Sequence, residues 1–275
     1  MPILNKDMTL CISLAARPSN NGTLFHNHLY DQLGLNWIYK AFAPTDLAQA
    51  VSGIRGLGIR GAAVSMPYKE AVIPMLDQLA PSAAAIDSVN TIVNDGGILT
   101  AHNTDYSAVL QLLGLHEVSP SLPTVVRGSG GMAKAVVAAL AHSGFGDVVV
   151  VARNESAGRN LAETYGFTWK REVADGGQLL VNVTPIGMAG GNESNMLPFS
   201  LDQVEAAQVV FDVVAVPAET PLIRAARAAG KRVVTGTDVA TLQAVEQFVL
   251  YTGITPTAGQ IHAAREFMLA SAQTA

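Results

Sequence analysis

The apolar positions of the chain repeat with two different periods. Short runs rich in β-branched residues predict strands at 9–14, 37–42 and 59–65. Between them the apolar residues recur at helical spacing. Leu24, Leu29 and Leu33 lie on or near one face of a helix over 23–33, which Gly34 closes. A second helix, 45–57, opens on Thr45-Asp46, a cap and an acidic first turn. This βαβαβ order needs a parallel or mixed sheet with helices on its faces. A hairpin follows, with arms at 90–93 and 98–101 around Asn94-Asp95-Gly96-Gly97. A helix over 106–113 and the breaker Pro120-Ser121-Leu122-Pro123 end this half.

The second half alternates again. Strands are predicted at 124–127, 147–151, 178–183, 208–213 and 232–235, and helices at 132–143, 155–165 and 220–229. A five-strand nucleotide unit then ends near 236. Helices at 238–252 and about 256–272 have no strand to cross to, so they are expected to return and cover the first half. The fold class is α/β with two domains. Residues 1–104 form an N-terminal βαβ domain and 105–236 a second domain, with C-terminal helices in 237–275 packing on the first.

The most informative stretch is Val125-Val126-Arg127-Gly128-Ser129-Gly130-Gly131-Met132-Ala133, a strand, a tight turn and a helix start. Gly128, Gly130 and Ala133 fill the three small-residue positions of a dinucleotide fingerprint. Gly128 permits the turn, Gly130 lets the backbone approach a pyrophosphate, and Ala133 lets the helix lie close on the strand. Free N–H groups at the helix start favour the phosphates. After the next strand, where an NAD site usually has Asp or Glu, the chain has Ala152-Arg153-Asn154. Arg153 can fork onto a 2′-phosphate and stack on adenine, which favours NADP(H). Alternatively Arg153 is solvated and Glu155 is the acidic residue.

Composition narrows the partners. Of 275 residues 49% are hydrophobic and only 14% charged, against roughly 25% charged in typical soluble domains. The core is ample, which leaves apolar surface to be shared in a homodimer. Net charge is −5 with no basic block, so nucleic acid is not an expected partner. No apolar run approaches the ~18–20 residues of a membrane helix. The start of the chain lacks signal-peptide features and Cys11 is alone, which together suit a reducing cytoplasm. The six histidines show no metal-ligand spacing, and His26 and His28 would not face one site.

Ligands of α/β sheets bind beyond the carboxyl ends of the strands, so polar residues there are the chemical candidates. In Ser65-Met66-Pro67-Tyr68-Lys69, Lys69 could take or give a proton if partly desolvated. Alone it reads as a solvated lysine on a helix begun by Pro67. Ser88-Val89-Asn90-Thr91-Ile92 and His102-Asn103-Thr104-Asp105-Tyr106 follow. Asp105 could orient Lys69, or Thr104 or Asp105 could simply cap the helix over 106–113. Asn182-Val183-Thr184-Pro185-Ile186-Gly187-Met188 is a fourth segment, or a Pro-Gly turn. Gln243, beside Val239 and Leu242, is the fifth candidate, or an exposed helix position.

In this order the segments resemble the shikimate dehydrogenase family, from about residue 10 to about 255. The resemblance is carried by Val-Ser-Met-Pro-Tyr-Lys-Glu, Ser-Val-Asn-Thr-Ile, Asn-Thr-Asp, Gly-Ser-Gly-Gly-Met-Ala, Asn-Val-Thr-Pro-Ile-Gly-Met and Gly236…Gln243…Tyr251-Thr252-Gly253. It implies a substrate domain completed by the C-terminal helices and a Rossmann-type NADP domain, with cofactor and substrate meeting between them. It implies reversible hydride transfer between NADPH and 3-dehydroshikimate. Lys69 matches the catalytic lysine and Asp105 its partner. Ser65 stands where the family has Thr, and Asn90 and Gln243 match residues that bind ring hydroxyls. Arg153 matches the arginine on the 2′-phosphate. Ser129, Gly131, Met132, Asn154, Thr184, Val213 and Gly236 complete the implied cofactor site.

The departures concern the substrate carboxylate. Counting back from His26-Asn27, the family's Ser-x-Ser-Pro falls on Asn20-Asn21-Gly22-Thr23, and its carboxylate-binding tyrosine falls on Ala215. The Asn of its Asn-Val-Thr becomes Ala63, and Tyr106 stands where Gly is usual. Ser13, Arg17 or Ser19 could supply another anchor. The expected function is an NADP-dependent oxidoreductase of shikimate dehydrogenase type acting on a small hydroxy acid, with weak shikimate activity and no metal. Its rivals are a quinate or other polyhydroxy acid dehydrogenase and an NADP-binding regulatory protein with vestigial turnover.

Overall fold

A computed structural model describes residues 4–173 and 176–272. The chain divides into two compact units, residues 1–104 with 241–275, and residues 105–240.

The first unit contains β1 (Thr9–Leu14), α1 (Asn21–Gln32), β2 (Trp37–Phe42), α2 (Leu47–Gly56), β3 (Gly61–Val64), α3 (Tyr68–Ala71), β4 (Gln78–Leu79), α4 (Pro81–Ala84), β5 (Thr91–Asp95) and β6 (Ile98–His102). Its sheet runs β2-β1-β3-β5-β6-β4. Strands β2, β1 and β3 are parallel, β5 is antiparallel to both β3 and β6, and β4 is parallel to β6. The period of two along β1 explains why both faces are covered. Ile12 and Leu14 pack with Val51 and Ile54 of α2 on one face. Cys11 points the other way, among Phe25, Leu29, Tyr30 and Tyr39.

That second core is finished by α10 (Gly236–Thr252) and α11 (Ala258–Ala272). Phe248, Tyr251, Ala264 and Met268 belong to it, and α11 lies against α1. The α10 helix starts in the second unit and ends in the first. Gly61 lets the Tyr251 ring lie close against β3, since a Cβ there would stand 2.2 Å from the ring. Arg60 fixes the end of α10 by donating from Nε to the Tyr251 carbonyl at 2.8 Å.

The second unit contains α5 (Thr104–Leu115) from its second residue onward, then β7 (Thr124–Arg127), α6 (Gly131–His142), β8 (Val148–Val151), α7 (Glu155–Thr164) and β9 (Thr168–Lys170). It continues with β10 (Leu179–Asn182), α8 (Leu201–Ala206), β11 (Val209–Asp212), α9 (Pro221–Ala228) and β12 (Arg232–Thr235). All six strands are parallel, in the order β12-β11-β10-β7-β8-β9. This is the doubly wound Rossmann-like arrangement, with the order reversing beside β7.

Several sequence expectations need correction. The second unit has six strands rather than five, because the short edge strand β9 completes it. The hairpin arms extend to Asp95 and His102, leaving a Gly96-Gly97 turn with both φ positive, at 61° and 97°. The helix predicted over 106–113 is the longer α5. The cap of α2 is Asp46, whose side chain accepts from Gln49 N–H, and Thr45 lies outside the helix.

Candidate functional site

In the second unit the β7 strand delivers its chain into Gly128, whose φ is +128°. A Cβ there would meet Val183 Cγ2 at 2.7 Å, so the turn admits no side chain. Gly130 caps α6 without any side-chain hydrogen bond, so the first N–H groups of the helix have no side-chain acceptor at the cap. Nothing lies within 4 Å of a Cβ built on Gly130 or Gly131. Ala133 is fully buried in the helix. A tight turn, open space above two glycines and uncapped donors make a cradle that fits a pyrophosphate.

The flanking loops are set by a buried polar cluster. Asn182, at the end of β10, accepts from Thr184 N–H (3.1 Å) and Thr184 Oγ1 (2.6 Å). Its amide nitrogen donates to Asp212 Oδ1 at 2.9 Å. Asp212 also accepts from Val214 N–H (3.1 Å) and, through Oδ2, from Thr220 Oγ1 (2.6 Å). Burial raises the Asp212 pKa, and these three donors oppose the shift. Val213 N–H donates to the Asn182 carbonyl at 3.0 Å. Gly236 lies against the Val213-Val214 backbone so closely that a Cβ would stand 2.3 Å from the Val214 carbonyl carbon. Thr184, Val213 and Gly236 thus belong to one rigid end of the sheet. Sequence reasoning missed Asp212 and Thr220, whose signal was a strand-end Asp followed by a Thr-Pro helix start.

Arg153 follows β8 and is 86% exposed. Asn154 behind it caps α7 by accepting from Ala157 N–H at 3.1 Å. Ser129 and Met132 sit in the turn and the first helical residues, as the glycine pattern requires.

In the first unit Lys69 lies on α3, directly after β3, and is half-buried, while Ser65 is exposed. The Lys69 carbonyl accepts from Val89 N–H at 2.9 Å, which ties α3 to the start of β5. Asn90, the next residue, is 2% exposed. Its Oδ1 accepts from Thr104 N–H (2.8 Å) and Thr91 Oγ1 (2.8 Å). Its Nδ2 donates to Thr104 Oγ1 (3.0 Å) and Gln243 Oε1 (3.3 Å). Gln247, one turn beyond Gln243, donates to Thr91 Oγ1 at 3.0 Å. Asn90 and Gln243 therefore meet, with Lys69 beside the same strand end. Thr91 and Gln247 were not singled out from sequence, and Thr104 only as a helix cap. Gln247 lay one helical turn from a residue already named, which was the available signal.

Asp105 follows Thr104 on α5 and is 6% exposed. Gly22, Ala63 and Ala215 bring no hydroxyl or amide side chain. Among the described residues no group of three or more His, Cys, Asp or Glu could hold a metal ion. None of the described helices is long and apolar enough to cross a membrane.

Residues 20–92 match the shikimate dehydrogenase substrate binding domain. The "Shikimate dehydrogenase-like protein" of Haemophilus influenzae is 54% identical over 91% of this chain and 93% of its own. A solved shikimate 5-dehydrogenase-like protein superposes with a TM-score of 0.93 at 52% identity, covering 97% of this chain and 99% of that one. The shikimate 5-dehydrogenase of Thermus thermophilus, solved with NADP(H) and shikimate, gives 0.84 at 29% identity over 95% and 100%. The quinate dehydrogenase of Corynebacterium glutamicum, solved with NAD, gives 0.83 at 28% identity over 96% and 99%. With a relative this similar over nearly all of both chains, the protein belongs to the shikimate dehydrogenase family of oxidoreductases.

Proposed function

We propose that this protein is an NADP(H)-dependent dehydrogenase that interconverts a cyclic hydroxy acid and its ketone. The substrate is 3-dehydroshikimate/shikimate or a close relative such as quinate. The observation that carries the reading is the Asn90–Gln243 pair, hydrogen-bonded at the strand end that also bears Lys69. The Gln243 amide nitrogen can donate to a ring hydroxyl, and Asn90 can exchange one of its bonds for a bond to another. Lys69, with Asp105 as partner, takes the proton from the reacting hydroxyl on oxidation and returns it on reduction.

Gly128, Ser129, Gly130, Gly131, Met132 and Ala133 hold the pyrophosphate end of the dinucleotide, and Arg153 with Asn154 its 2′-phosphate. Thr184, Val213 and Gly236 line the nicotinamide end. When bound, the nicotinamide ring exchanges the hydride. Two relatives of known structure were solved with NADP(H) and with NAD, so the preference in this chain rests on Arg153.

The absent carboxylate hydroxyls favour a second substrate over shikimate itself. Asn20, Gly22 and Ala215 occupy those positions, so shikimate itself should turn over weakly, and a relative that does not depend on those hydroxyls should be preferred. The test is NADPH formation with a panel of polyhydroxy acids, with Lys69→Ala as the blank. Lysine-dependent turnover of any of them supports an enzyme. Tight NADPH binding with no lysine-dependent turnover would leave a cofactor-binding regulatory protein instead.

A further inference from the structure

Arg153 has one carboxylate within ion-pair distance among the described residues. It is Glu193, with Oε1 4.0 Å from Arg153 Nη1. Arg153 follows β8, and Glu193 lies in the segment after β10. Between those two parallel strands, in the sheet, lies β7. The pair therefore spans the carboxyl end of β7, where Gly128–Gly131 form the cradle.

The two partners are not equally free. The Glu193 carbonyl accepts from Gly187 N–H (3.0 Å) and Met196 N–H (3.1 Å), and its side chain is 33% exposed. Arg153 is 86% exposed. Glu193 is the fixed member, and Arg153 the one that can turn away.

We propose that Glu193 is a specificity-determining residue for the dinucleotide, holding Arg153 across the end of β7 and competing with a 2′-phosphate for it. The inference rests on the reading of Arg153 as the 2′-phosphate ligand. NADPH must displace the carboxylate to reach the guanidinium, and its phosphate also meets the negative charge of Glu193. Both effects weaken NADPH. NADH presents a neutral ribose hydroxyl there and meets neither. Glu193 thus narrows the preference that Arg153 creates.

The test is fluorescence titration of the full chain with NADPH and with NADH, for the wild type, Glu193→Gln, Arg153→Ala and the double variant. Two charges 4 Å apart in water interact by about 1 kcal/mol, so Glu193→Gln should tighten NADPH by about fivefold at low salt. The gain should shrink at high salt, NADH should change by less than about twofold, and on the Arg153→Ala background the gain should fall to what the direct repulsion between Glu193 and the phosphate gives. Thermal melts confirm that the surface variants stay folded. If Arg153→Ala weakens NADPH but Glu193→Gln does not tighten it, the role of Glu193 is overturned and the cofactor reading stands. Equal tightening of NADH and NADPH overturns it too, because the 2′-phosphate is then irrelevant. If Arg153→Ala leaves NADPH unchanged, both the cofactor reading and the inference fall.

Discussion

The Tyr39 phenol covers Gly22: a Cβ built on Gly22 would stand 3.2 Å from Tyr39 Oη and 3.3 Å from Cε1. The Tyr39 ring is stacked on His26, with centroids 4.5 Å apart and planes 10° from parallel. Burial raises the Tyr39 pKa, and the Ser13 hydroxyl works the other way. A side chain added at residue 22 has to move a ring that is held from behind by a few tenths of an ångström.

That constraint shapes the prediction for the carboxylate. Each hydrogen bond to a charged group is worth roughly 1.5–3 kcal/mol. Water replaces part of what three missing hydroxyls would give, so the net loss is about 3 kcal/mol, on the order of a hundredfold in kcat/KM. Shikimate oxidation is expected to be weak, with a high KM. Gly22→Ser with Ala215→Tyr should improve it, and Ala215→Tyr should supply the larger share because Tyr39 resists the other change. Steady-state kinetics on shikimate decide this. Efficient turnover by the unmodified protein would mean that Ser13, Arg17 or Ser19 already holds the carboxylate.

Arg153 is expected to favour NADP+ over NAD+ by roughly tenfold to a hundredfold, the worth of one charge-assisted contact. Arg153→Ala should remove most of this ratio, read as kcat/KM for each cofactor. Equal use of both cofactors by the wild type contradicts the assignment.

Lys69→Ala should lower turnover by roughly 10²–10⁴, the range for a positioned acid–base group. The dissociation constant of NADPH should hardly move, since every residue assigned to the cofactor lies on other segments. A variant that keeps its turnover would reduce Lys69 to a surface lysine.

The strands that sequence located best are apolar runs with clear punctuation nearby. Residues 9–14, 37–42, 124–127 and 232–235 were predicted with the bounds observed. Their β-branched and aromatic runs end at or near Gly, Pro, Asn or charged residues, so periodicity and punctuation agree. The edge strand β9 escaped because its three residues are largely exposed. Its one clue is Trp169, whose ring fills the space left by Gly158 and carries Arg159 over its face at 4.4 Å. Helix α8 was also missed, although Ser200 and Gln203 form a capping box that the spacing Ser-x-x-Gln announces. The site followed the same rule. Asn90 and Gln243 stood in recognisable segments, whereas Gln247 and Asp212 offered only a local hint and act through long-range hydrogen bonds, to Thr91 and Asn182.

His26 predicts a pH dependence of stability. Its imidazole is fully buried. Burial lowers its pKa from 6.5 to about 3, with Gln247 opposing. The folded protein therefore keeps His26 neutral while the unfolded chain takes up a proton below its own pKa. Stability from this group is complete above the unfolded pKa and is lost as pH falls from about 6.5 towards 3. The loss is about 1.4 kcal/mol per pH unit, or about 2 kcal/mol by pH 5. Urea denaturation at neutral and mildly acidic pH measures it. His26→Phe, which keeps a flat ring against Tyr39, should flatten the slope, and an unchanged slope would assign the acid lability to other groups.

The second core of the first unit closes only when Phe248, Tyr251, Ala264 and Met268 arrive from α10 and α11. On a ribosome these residues emerge after all of residues 105–240, which form a compact unit of their own. The nascent chain is therefore expected to complete its later-made unit first, while Phe25, Leu29, Tyr30 and Tyr39 wait with one apolar face uncovered. A chain released early, at residue 240, should carry a folded second unit and an open, dye-binding first unit. Synthesis order, not stability, then sets when this protein is most exposed to chaperones and proteases.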